Sequence, residues 1–67
     1  MFSYAPLWET MKKKNVSTYA LIHKHDISTS LINRLRHNKG VTVQTIVNLC
    51  KILDCKVEDI VEYVPEK

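Results

Sequence analysis

Residues 17–38 read STYALIHKHDISTSLINRLRHN, and the reading of this stretch decides the fold. It divides into two short helices, about 18–25 and about 29–37, with Asp26-Ile27-Ser28 between them. Asp tolerates turn conformations, and Ser28 is placed to accept a hydrogen bond from the first free amides of the second helix. Leu21 and Ile22 turn inward from the first helix. Leu31, Ile32 and Leu35 recur at helical spacing on one side of the second. Its other side carries Thr29, Ser30, Asn33, Arg34 and His37. All five can hydrogen-bond or carry charge, none is acidic, and none is large and apolar. Such a face suits the major groove of duplex DNA, where base edges offer donors and acceptors between flanking phosphates.

Toward the N-terminus, Asn15-Val16-Ser17 breaks the chain, and Ser17 caps the helix at 18. The spacing of Leu7, Trp8 and Met11 predicts an earlier helix from about Pro6 to Lys14, with Pro6 in its first turn and Trp8 as a core anchor. Lys12-Lys13-Lys14 closes it, where cations complement the carbonyl end of the helix dipole. Met1 to Pro6 is read as loosely held, with Phe2 and Tyr4 able to dock on the core. Tyr19 lies either on the outer face of its helix or over its end. His23 and His25 stand two apart and diverge on a helix, so they make no chelating pair. One of them is expected to be partly buried and the other solvated.

Toward the C-terminus, Asn38-Lys39-Gly40 is a helix stop, since Asn and Gly favour positive φ. Thr42 opens a longer helix, TVQTIVNLCKILDC, whose expected buried stripe is Val43, Ile46, Val47, Cys50 and Leu53, widened by Leu49 and Ile52. A last helix is expected from Val57 to about Tyr63, stopped by Pro65.

With 67 residues, the chain is expected to be one small domain spanning 1–67. A hydrophobic fraction of 45% is enough for one core, and one Gly and two Pro are too few for a loop-rich chain. No apolar run approaches a membrane span, and no secretory signal opens the chain. Cys50 and Cys55 read as two small apolar residues in a reducing cytoplasm. The net charge of +3 is unevenly spread: +2 over residues 1–14, +3 over 15–39 and −2 over 40–67. A polyanion would meet the half that holds the paired helices.

Leu21, Ile27-Ser28, Ile32, Leu35 and Asn38-Lys39 fall in a fixed order, followed by the helix from Thr42 to Leu53 and the close Leu53-Asp54-Cys55-Lys56-Val57-Glu58-Asp59-Ile60. From Leu7 to Pro65 this pattern resembles the phage-repressor-like helix-turn-helix family of Cro/repressor type, found across bacteria. The tail Glu62-Tyr63-Val64-Pro65 is similar to that of its very small members. Two positions depart from the pattern. Ile22 stands where many members have Ala, which opens the helix crossing slightly. Asp26 stands where many have Gly in a left-handed turn, which Asp adopts at some cost.

The resemblance implies an all-α, five-helix compact bundle that binds double-stranded DNA as a two-fold homodimer. It implies base contacts from Thr29, Ser30, Asn33 and Arg34, with Arg34 suited to guanine and Asn33 to adenine. It implies phosphate contacts from Thr18, His37, Asn38 and Lys39. Arg36 falls toward the solvent side. The expected function is a sequence-specific transcriptional regulator, a repressor that blocks polymerase, located in the cytoplasm with the nucleoid. The alternative is a protein-interaction or antitoxin-like module of the same fold. An enzyme is not expected: no nucleophile–base arrangement, no carboxylate pair in an apolar setting and no Gly-rich phosphate loop is present. No cofactor, metal or small-molecule ligand is implied. The dimer contact is expected from Val57 onward.

Overall fold

Three of the helices start on a hydroxyl side chain that accepts from an amide three residues on. Ser17 takes Ala20, Ser28 takes Leu31 and Thr42 takes Thr45, at 3.1, 3.1 and 3.2 Å. Each helix is followed within two residues by a non-glycine residue in the left-handed region: Asn15, Asp26, Asn38 and Asp54, with φ of 57, 56, 54 and 51°. Asn and Asp enter that region more readily than other side chains, so the sequence marks its own stops. Between these signals lie α1 (Ala5–Lys14), α2 (Thr18–Lys24), α3 (Thr29–Arg36) and α4 (Val43–Leu53). The computed structural model describes residues 1–65; the last two residues of the expected domain lie outside the described part.

The buried side chains are Tyr4, Leu7, Met11, Leu21, Ile32, Leu35, Leu49, Leu53 and Ile60, which form a single cluster. Leu7 and Met11 come from one face of α1, Ile32 and Leu35 from α3, and Leu49 and Leu53 from α4, at the three- and four-residue steps that share a helix face. Trp8 is half-buried at the edge of this cluster. Thr10, also buried, donates from its hydroxyl to the Asp59 carbonyl at 2.7 Å and ties α1 to the end of the chain.

Five helices were expected, and the described residues hold four. The segment expected as the fifth is a single 3-10 turn, Val57–Asp59, followed by a strand, β2 (Glu62–Tyr63). That strand pairs antiparallel with β1 (Phe2–Ser3), Phe2 opposite Tyr63 and Ser3 opposite Glu62, so the fold is not strictly all-α. The physical reasons are local. Val57, Val61 and Val64 are β-branched, and Pro65 pushes Val64 out of the helical region. An extended partner is also available at residues 2–3. The N-terminal residues expected to be loose are therefore paired, and Tyr4 is 2% exposed.

Three smaller expectations change as well. Val43 is 79% exposed, not in the buried stripe, because the inward face of α4 is set by Leu49 and Leu53. Val43 lies six residues before Leu49, which is about 120° around the axis. Gly40 does not adopt positive φ; Asn38 alone makes the left-handed turn after α3. His23, in the last turn of α2, and His25, just beyond its end, are both exposed, since they lie past the core contact at Leu21. Tyr19 lies on the outer face of α2, its ring 4.2 Å from that of His23.

Candidate nucleic-acid interface

The α2–α3 pair is held from beneath by Leu21, Ile32 and Leu35, with Ile22, Ile27 and Leu31 half-buried beside them. The Ile27 amide donates to the Leu21 carbonyl at 3.0 Å across the left-handed Asp26, so the turn closes on the end of α2. Ile22 is half-buried and packs against the core. With 31, 32 and 35 facing the core, the 3.6-residue period turns Thr29, Ser30, Asn33, Arg34 and His37 outward, and all five are exposed. Arg36 is exposed too.

The exposed residues differ in what their polar atoms already hold. Thr29, Ser30 and Asn33 have side chains without intramolecular hydrogen bonds among the described residues. Arg34 donates through Nε and Nη2 to the Gly40 carbonyl, at 3.1 and 2.6 Å. Five N–H bonds make up a guanidinium, so three remain to it. His37 rests its Nδ1 on the Asn33 carbonyl at 2.8 Å. A carbonyl only accepts, so Nδ1 carries the proton and Nε2 is the outward nitrogen.

The loop after α3 is braced from two places. Asn38 presents its Oδ1 to the Tyr4 amide at 3.0 Å, and the Lys39 carbonyl accepts from the Tyr4 hydroxyl at 2.7 Å. The Lys39 amide returns to the Arg34 carbonyl at 2.8 Å, which closes the helix, while the Lys39 side chain is exposed. Burial pushes the Tyr4 phenol up from its usual value, against a smaller opposite pull from Arg34, so the hydroxyl stays protonated and donates. Thr18 opens α2 directly after its Ser17 cap and is half-buried.

Four expected base-contact residues thus share the outer face of α3, and three expected phosphate-contact residues follow in its last turn and loop. Thr18 sits apart, at the start of α2. The roles of Tyr4 and of the Gly40 carbonyl had no local signal in the sequence, because both arise from contacts between segments 34 or more residues apart or from a bare backbone oxygen.

Elsewhere, Cys50 and Cys55 are free and half-buried, and burial raises the Cys55 thiol first, followed by the nearby Cys50 and Asp59. No helix among the described residues is long and apolar enough to cross a membrane.

A family model for the Cro/C1-type HTH DNA-binding domain matches residues 6–66. No curated protein matches the chain. Among solved structures, the chain is similar to the transcriptional regulator VanUg, at 28% sequence identity and a TM-score of 0.86, over 97% of this chain and 87% of that one. Nearly the whole sequence is matched: this chain belongs to the Cro/C1-type helix-turn-helix DNA-binding domain family.

Proposed function

We propose that the protein is a sequence-specific transcriptional regulator that reads the major groove with α3 and represses by occupying a promoter. The observation that carries this reading is the outer face of α3: five exposed residues able to hydrogen-bond, no acidic group, and a packed apolar face behind them. Thr29, Ser30, Asn33 and Arg34 are the base-contacting residues of the proposal. Asn33 carries a side-chain amide suited to adenine, and Arg34 addresses guanine with the donors it does not use on Gly40. Thr18, His37, Asn38 and Lys39 are its phosphate-contacting residues. The similarity to VanUg, a transcriptional regulator, supports the regulatory role.

The proposal includes a homodimer over two half-sites about 34–36 Å apart, which excludes polymerase sterically. Val57 and Tyr63, exposed at 54% and 76%, are the apolar residues of the acidic C-terminal segment that suit a contact between copies. The test is selection of bound duplexes from a random pool at fixed salt. A palindromic motif is expected. Recovery of unenriched sequence at a salt concentration where the protein still binds would overturn sequence-specific reading.

A further inference from the structure

We infer that Tyr4 is a positioning residue for DNA binding, fixing the loop Asn38–Gly40 so that it presents donors rather than acceptors to a phosphate. This rests on the DNA-binding reading above and adds to it a residue that precedes the matched family segment, residues 6–66.

Of the four oxygen acceptors of Asn38–Gly40, all but the Asn38 carbonyl are taken by a donor of the chain itself. Asn38 Oδ1 receives the Tyr4 amide, the Lys39 carbonyl receives the Tyr4 hydroxyl, and the Gly40 carbonyl receives Arg34. The donors are left over. Among the described residues, neither the Gly40 nor the Val41 amide makes a hydrogen bond within the chain, and the Lys39 side chain is exposed. With its Oδ1 occupied, Asn38 keeps its Nδ2 donor. A phosphate oxygen is repelled by carbonyl oxygens and held by N–H groups, so removing these acceptors from play while leaving the amides unpaired prepares an anion-binding loop. Lys39 adds the formal charge.

Tyr4 is itself held firmly. Its ring is in the core, 5.5 Å edge-on from Phe2, and Phe2–Ser3 is paired with Glu62–Tyr63. The loop that follows the recognition helix is thus anchored through Tyr4 to the ribbon formed by both ends of the described chain.

Tyr4→Phe keeps the ring and removes only the hydroxyl. Wild type and variant are titrated onto the selected duplex and onto a scrambled one over a range of salt. We expect a loss of about threefold to tenfold on both duplexes, with their ratio unchanged, as for one hydrogen bond. The slope of log affinity against log salt should fall by up to about one, the weight of one phosphate contact. In a Lys39→Ala background the same substitution should alter the slope no further, since both act on one contact. Unaltered affinity and slope, or a further fall of the slope in the Lys39→Ala background, overturns the positioning role. Should Tyr4→Phe fail to fold, the wild type decides by hydrogen exchange. Bound DNA should slow the Gly40 and Val41 amides at least about tenfold, and exchange unaltered at saturation overturns the proposal. A wild type that binds neither duplex in dilute buffer overturns the DNA-binding reading itself, an outcome visible without any variant.

Discussion

Arg34 and Tyr4 reach the same loop, and their different chemistry separates their effects. Arg34 forks onto the Gly40 carbonyl from an exposed position and keeps three donors for a partner. Arg34→Ala should weaken binding to the selected duplex by about 1–3 kcal/mol and relax the preference at one base pair. Binding-site selection repeated with the variant measures this, and an equal loss on every sequence would place its whole effect in the loop. Gly40 gives a contrasting expectation. Its φ is not positive, and a Cβ there would meet nothing within 4 Å. Glycine is therefore not demanded by the folded state, and Gly40→Ala should raise stability by about 0.4–1 kcal/mol by restricting the unfolded chain. Urea denaturation checks it; a loss of stability would mean that the loop needs freedom the fold does not display.

At the scale of elements, α3 depends on its cap. Ser28 accepts the Leu31 amide, and eight residues are too few to hold a helix by propensity alone. Ser28→Ala should cost about 1 kcal/mol in chemical denaturation and fray the end that carries Thr29 and Ser30. Unchanged stability would show that packing of Ile32 and Leu35 alone fixes the helix. What was legible in the sequence was this kind of local signal. Ser17, Ser28 and Thr42 marked three helix starts, and the apolar spacing of Leu31, Ile32 and Leu35 gave the outward face of α3 by elimination. The β1–β2 ribbon was not legible. Each strand has two residues, too short for an alternating pattern, and its partners lie about sixty residues apart along the chain. For the same reason the segment from Val57 to about Tyr63, with Ile60, Val61 and Val64 apolar, read as a helix, although only a 3-10 turn forms before the chain extends. Val43 was misplaced because an apolar residue at a helix start satisfies the stripe pattern whether or not a neighbour covers it. Of the interface, residue identity was legible, while the occupancy of each polar atom by Tyr4 or Gly40 needed the tertiary contacts.

Across the whole molecule, charge and packing divide the labour. Residues 1–39 carry +5 and residues 40–67 carry −2. Lys13 and Lys14, which close α1, line one surface hollow with Asp54 and Asp59, so the positive charge that meets a duplex is that of Lys24, Arg34, Arg36 and Lys39, all exposed at the α2–α3 end. The apolar core beneath α3 and the ribbon behind Tyr4 keep that end rigid, which limits the ordering that binding would otherwise require. The central claim is that the outer face of α3 enters the duplex, and amide chemical shifts followed through a titration with the selected duplex test it most directly. The largest changes are expected on Thr29, Ser30, Asn33, Arg34 and the loop 37–40, with α4 nearly still. Changes centred on α4 and the C-terminal strand, with α3 unmoved, would contradict it.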